Sequence, residues 1–179
     1  QKFWSRLCVT IWSILGLLYM NTVPFYPNST DNTHCFQACV RSVLKFHFPE
    51  REYSFHYLDR VTAHQKKKLT WVSAALLFLA RLGFSIVNIE LFDYRMFATS
   101  GEHYLRSLWT DEVYQTQREF SDIRNEQRLA RRLVAARTIR RIRRPATLLD
   151  IRRLYETGYL VLCTVNPHVL VGRTGYVSH

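Results

Sequence analysis

Glycine and proline are scarce, at six and five of 179 residues, which excludes a collagen-like or low-complexity chain. Cysteine is scarce too. Four thiols, Cys8, Cys35, Cys39 and Cys163, are too few for a disulfide scaffold of this size. None forms a CxxC pair, so zinc-ribbon spacing is missing. Reduced thiols are the expectation. The apolar stretch Cys8–Tyr19 is short of the roughly 20 residues that a membrane span needs. Acidic residues are in the minority, with 14 Asp and Glu against 25 Lys and Arg and a net charge of +11. What is present is enough to fold: 47% of residues are hydrophobic and 14% aromatic, which excludes global disorder and suits one domain with a real core.

The positive excess is local. Between Gln117 and Arg153 twelve Arg meet only Glu119, Asp122, Glu126 and Asp150. Such an excess favours anionic partners: nucleic acid, an anionic lipid surface or an acidic protein. The densest part, Arg140-Arg141-Ile142-Arg143-Arg144, is where like charges repel most; a solvated face is its ordinary reading, and contact with a polyanion or anionic lipid is the alternative. No helix-turn-helix, zinc-finger or RNA-binding signature accompanies it.

Residues 1–23 stand apart as an apolar N-terminal segment, and 24–179 read as the domain proper. Lys2 and Arg6 precede the apolar run, and Met20 follows it. Three readings stand: a signal or membrane anchor, sequence upstream of a start at Met20, or an ordinary buried element. A start at Met20 implies a cytoplasmic protein. A genuine 1–19 implies membrane association or export.

Loop chemistry fills Asn21–Thr33. A helix then runs from about Cys35, with Asn32 and Thr33 as possible caps and Pro49 as its stop. Cys39, Val43 and Phe46 share one face of it. A second helix spans about 71–82 and ends at Gly83. Residues 84–91 read as a strand. From about Ser121 to Arg144 the pattern is helical, with Leu129, Leu133, Ala136 and Ile139 as its apolar stripe. Leu148–Thr157 is a short helix closed by Gly158. Tyr159–Val165 is a buried strand, and a last strand starts at Tyr176.

Cys35 sits where a loop enters a helix. Helix N-termini stabilise anions and lower a thiol's pKa, so a thiolate there is a usable nucleophile. His179 lies on a strand at the far end of the chain, so a Cys on a leading helix precedes a His on a late strand. His34 adjoins Cys35, but neighbouring side chains on a helix point apart. His34, Cys35, Cys39 and His47 are too loosely spaced for a metal site, and no metal or cofactor is expected.

These residues resemble a family. Cys35-Phe36-Gln37-Ala38-Cys39-Val40 is similar to the Cys-Gly-Pro-Ala-(Cys/Ala)-Leu segment of papain-like peptidases that process bacteriocin leaders at double-glycine sites, and of their soluble bacterial relatives. Trp71 with Leu79-x-x-Leu82-Gly83-Phe84 resembles the family's second helix and following strand. Leu91-Phe92-Asp93, Gly101-x-x-Tyr104-Leu105 and Asp150-Ile151-x-x-Leu154-x-x-x-Gly158 extend the likeness. Gly175-Tyr176-x-x-His179 resembles the strand that delivers the family's histidine. The resemblance covers about residues 24–179. It implies an α+β, papain-like fold with an N-terminal helical half and a C-terminal antiparallel sheet.

The resemblance also implies an activity: thiol-dependent cleavage of a peptide or amide bond, with Cys35 as nucleophile, His179 as base and a peptide or protein as substrate. Acyl transfer to amines is a related outcome. Cys39, a turn further in, would be a core residue. The family's Gln about six residues before the nucleophile is Ser29 here, with Asn28 beside it, and Asn28 is the oxyanion-hole candidate. The family's Gly-Pro after the nucleophile is Phe36-Gln37. Its residue orienting the histidine would lie beyond His179, so the C-terminus is expected to be incomplete. Two rival readings remain. One is an inactive papain-like domain that binds peptide. The other is a basic membrane- or nucleic-acid-associated protein acting through an Arg-rich helix over 128–144.

Overall fold

A computed structural model describes residues 22–30 and 33–164, together with the backbone of a strand at 8–12. The chain divides into two units. Among the described residues, one takes in 22–30, 33–83 and 93–137, and the other takes in 84–92, 138–164 and the strand at 8–12. The combination is α+β, with eight helices and one four-stranded sheet among the described residues.

The first unit is helical. Its elements are α1 (Cys35–His47), α2 (Phe55–Thr62), α3 (Ser73–Arg81), α4 (Tyr94–Ser100), α5 (Glu102–Leu108), α6 (Asp111–Phe120) and α7 (Ile123–Ala135). In α1 Ala38, Val40, Val43 and Leu44 are buried as an apolar stripe at helical spacing, with Gln37 buried beside them. The helix stops two residues before Pro49, whose ring disfavours helical backbone ahead of it. α3 is buried from Ser73 through Leu79. It closes at Gly83, whose φ of +93° only glycine adopts without strain.

Side-chain caps set most of the other starts, each accepting from an early backbone N–H. Ser54 accepts from Tyr57 in α2, Asp93 from Arg95 and Met96 in α4, Thr110 from Val113 in α6, and Asp122 from Asn125 in α7. α7 packs on α3 and α4, and α2 packs on α1 and α3. Leu44, Leu58, Phe97, Leu105 and Leu133 are wholly buried, each contributing about 1.5–3 kcal/mol of hydrophobic stabilisation. Trp71 stacks on Phe97 at 5.5 Å and donates its indole N–H to Ser121 Oγ at 2.9 Å.

The second unit holds β1 (Cys8–Trp12), β2 (Ser85–Glu90), β3 (Ile139–Arg143), α8 (Leu148–Glu156) and β4 (Tyr159–Cys163). The strand order is β3-β2-β1-β4. β1 runs antiparallel to β2, with Cys8 opposite Ile89, and to β4, with Cys8 opposite Cys163. It falls inside the 1–23 segment that composition sets apart. β2 and β3 are parallel, with Ile86 opposite Ile139. Val87, Ile89 and Ala146 form the core here, joined by Ile142, Ile151, Leu154, Tyr159 and Val161. A capping box starts α8: Thr147 Oγ1 accepts from Asp150 N while Asp150 accepts from Thr147 N.

Two expectations are corrected. The sheet is mixed, since a long crossover separates β2 from β3 and such connections suit parallel neighbours. The Arg-rich helix over 128–144 does not exist as one element. α7 ends at Ala135, Ala136 is extended, and Ile139–Arg143 is β3. Ile139 and Ile142 are three apart, a spacing that also fits a helix. The β-branched Thr138, Ile139 and Ile142 favour strand. One helical turn holding Arg140, Arg141, Arg143 and Arg144 would also crowd like charges that a strand sends to opposite faces. Arg144 is engaged by both Asp150 oxygens, at 2.6 and 2.5 Å. Arg143 Nε donates to Leu91 O at 3.4 Å.

Candidate functional site

Cys35 is the first residue of α1 and is exposed. The N-cap is His34, whose side chain makes no capping bond, and the first turn holds no acidic residue. The early backbone N–H groups of a helix lack partners within it and carry its partial positive charge. Nothing acidic in that turn opposes a thiolate. Of the two expected caps, Thr33 bonds His34 Nδ1 through its Oγ1 at 2.9 Å, and Asn32 lies outside the described residues.

The loop before α1 is pinned from two sides. Arg41 stacks on Tyr26, its guanidinium carbon 4.1 Å from the ring centre. Asn28 Oδ1 accepts from the backbone N–H of His34 and of Ser29, each at 2.8 Å. The oxyanion-hole candidate therefore turns its acceptor to the helix entrance, and any donation would come from its Nδ2. His179 lies outside the described residues.

Cys39, expected in the core, is exposed. The apolar stripe of α1 runs through Val40, Val43 and Leu44, so Cys39 falls beside it. Partial enclosure of its sulfur, and then the neighbouring Cys35, push the Cys39 thiol above its usual range. A rise of this kind weakens Cys39 as a nucleophile at neutral pH.

The arrangement around His34 was not readable from spacing. His34 Nδ1 lies 2.8 Å from Ser29 Oγ. Its Nε2 lies 3.1 Å from Asp59 Oδ1 and 3.3 Å from Oδ2. Both ring nitrogens face partners other than the Cys35 thiol, so His34 is not the base for it. His64 packs against His34 with ring centres 4.8 Å apart. It arrives there because α2 ends in a left-handed residue, Ala63 at φ +56°, which folds His64 N back onto Asp59 O at 2.8 Å. His64 Nδ1 bonds Thr70 Oγ1 at 2.7 Å.

Gln37, fully buried in the first turn of α1, donates from Nε2 to Thr62 Oγ1 at 3.1 Å and to Thr70 Oγ1 at 3.0 Å. The set His34, Cys35, Cys39 and His47 is not brought together. His47 ends the 13-residue helix that Cys35 begins, about 18 Å along its axis. Among the described residues no helix is long and apolar enough to cross a membrane.

Compared with protein families, with curated proteins and with solved structures, the chain matches none.

Proposed function

We propose that this chain is a papain-like thiol peptidase in which Cys35 is the nucleophile and His179 the base. The observation that carries the reading is an exposed cysteine at the first position of a 13-residue helix whose N-cap side chain makes no capping bond. Cysteine attacks as its thiolate, and exposure there leaves the sulfur open to a substrate. The order of Cys35 and His179 along the chain, and the segment Cys35–Val40, support the same reading by resemblance.

In this mechanism the Cys35 thiolate adds to the carbonyl carbon of a peptide bond. The oxyanion that forms accepts hydrogen bonds from backbone N–H groups at the start of α1, with Asn28 Nδ2 as the candidate second donor. His179 passes a proton to the leaving amine. Water, deprotonated by His179, then releases the acyl group from sulfur. A peptide or protein is the substrate, and an amine in place of water would make the same acyl-enzyme a transferase.

The test is cleavage of a mixed peptide pool read by mass spectrometry. Cys35→Ala and His179→Ala should each abolish turnover, by about 10³-fold or more. Cys39→Ala should leave it intact. Undiminished cleavage by folded Cys35→Ala refutes the nucleophile. Peptide binding without cleavage by the wild type makes this a binding domain instead.

A further inference from the structure

Beyond the thiol chemistry, the helical unit holds a second cluster of chemistry-bearing side chains. One ring nitrogen of His34, one of His64 and one carboxylate oxygen of Asp59 lie within 4.8 Å of one another. The Cys35 thiol is not a member of that cluster. Two imidazoles and a carboxylate are a ligand set for a borderline divalent transition metal, with remaining positions left to water or substrate. A zinc-type ion at about 2.0–2.1 Å from each ligand holds its ligands about 3.3 Å apart. His34 Nε2 and Asp59 already meet that spacing, at 3.1 and 3.3 Å. The His64 nitrogen lies within 4.8 Å of the other two ligand atoms, and a side-chain shift closes the set.

Two further observations separate this from an ordinary ion pair. Asp59 Oδ1 is buried and forms no aligned hydrogen bond, although His34 Nε2 is at ion-pair distance. A buried carboxylate oxygen without such a bond is poorly compensated, and a cation would satisfy it. Each imidazole is also held by a hydroxyl: His34 Nδ1 meets Ser29 Oγ at 2.8 Å and His64 Nδ1 meets Thr70 Oγ1 at 2.7 Å. Bonds of this kind orient the rings of metal-binding histidines and set their tautomers. Thr70 is itself held by buried Gln37, so the support reaches into the core.

We propose that His34, Asp59 and His64 form a binding site for one divalent transition-metal ion of the zinc type, at the entrance of α1 and independent of the Cys35 thiol. The metal bridges the loop before α1 to the end of α2, and binding there orders the entrance of α1.

The test is titration of the full chain with Co²⁺, read by its visible d–d absorption and by calorimetry. One equivalent per chain is expected. His64→Ala and Asp59→Asn should each weaken binding by at least about a hundredfold, and Thr70→Val by about ten- to a hundredfold. Cys35→Ala and His56→Ala, the latter an exposed histidine of α2, should leave the affinity unchanged. Far-UV circular dichroism confirms that each variant is folded. Asp59→Asn keeps the side-chain shape should His64→Ala fail to fold. No bound Co²⁺, or an affinity that Asp59→Asn does not change, overturns the site. Binding lost in Cys35→Ala overturns it as well, because the thiol would then be the ligand. Metal binding and peptide cleavage are read separately, so either can fail alone.

Discussion

Glu126 should make the protein less stable as pH rises towards neutrality. It lies in the first turn of α7 with 5% of its surface exposed. Burial pushes its carboxyl up to about 7, and the Asp122 carboxylate adds to the rise. The nearby Ser73 hydroxyl offsets part of this. Even so, neither Ser73 Oγ nor Glu126 Oε2 completes a hydrogen bond.

In the unfolded chain the group titrates near 4.5. Between that value and about 7 the folded state keeps a proton that the unfolded state has lost, so stability falls with rising pH and is level above the window. A difference of about 2.5 pH units corresponds to about 3 kcal/mol at roughly 1.4 kcal/mol per unit. His47, whose burial lowers its pKa, works in the opposite sense, but it is common to wild type and variant. Urea denaturation of wild type and Glu126→Gln at pH 4.5 and pH 8 isolates the effect. The variant should gain about 3 kcal/mol over wild type on going from the lower pH to the higher. Parallel pH profiles for the two proteins would refute the reasoning.

Other substitutions test particular elements. Gly101 has φ +52° and ψ −125°, and a Cβ there would sit 2.8 Å from Gln127 Nε2. Gly101→Ala should cost about 1–3 kcal/mol, and adding Gln127→Ala should recover only the steric part in urea denaturation. Leu133→Ala should cost about 2.7–5 kcal/mol, because a wholly buried side chain leaves a cavity. Asp150 is held well below the usual carboxylate range by Arg144 first and then by Thr147. Its stabilisation is therefore present above about pH 4 and lost as pH falls below. Acid unfolding monitored by circular dichroism should show a shallower acid limb for Asp150→Asn.

The elements that were legible are those with local signals. α1, α3, α8 and β2 follow from apolar stripes and the stop signals Pro49, Gly83 and Gly158. The boundary between α7 and β3 was not legible. Leu129 and Leu133 do mark a helix face, but Ile139 extends the same spacing by coincidence, and tertiary pairing with β2 decides its state. α2 and the run from α4 to α6 depend on caps and long-range packing rather than on a strong stripe. At the site, Cys35 was legible because a helix start is a local feature. His64 was not. It lies five residues beyond Asp59, off helical spacing, and joins His34 only through the left-handed turn at Ala63. The exposure of Cys39 was missed because two neighbouring stripes on α1 have the same period, and packing chooses between them.

Site-resolved alkylation of the folded protein across pH, read by mass spectrometry, tests the central claim most directly. Cys35, at an exposed helix start, should react fastest of the four thiols. Cys39 should lag at every pH below its raised pKa. A Cys35 that reacts no faster than Cys39 would contradict the assignment of the nucleophile.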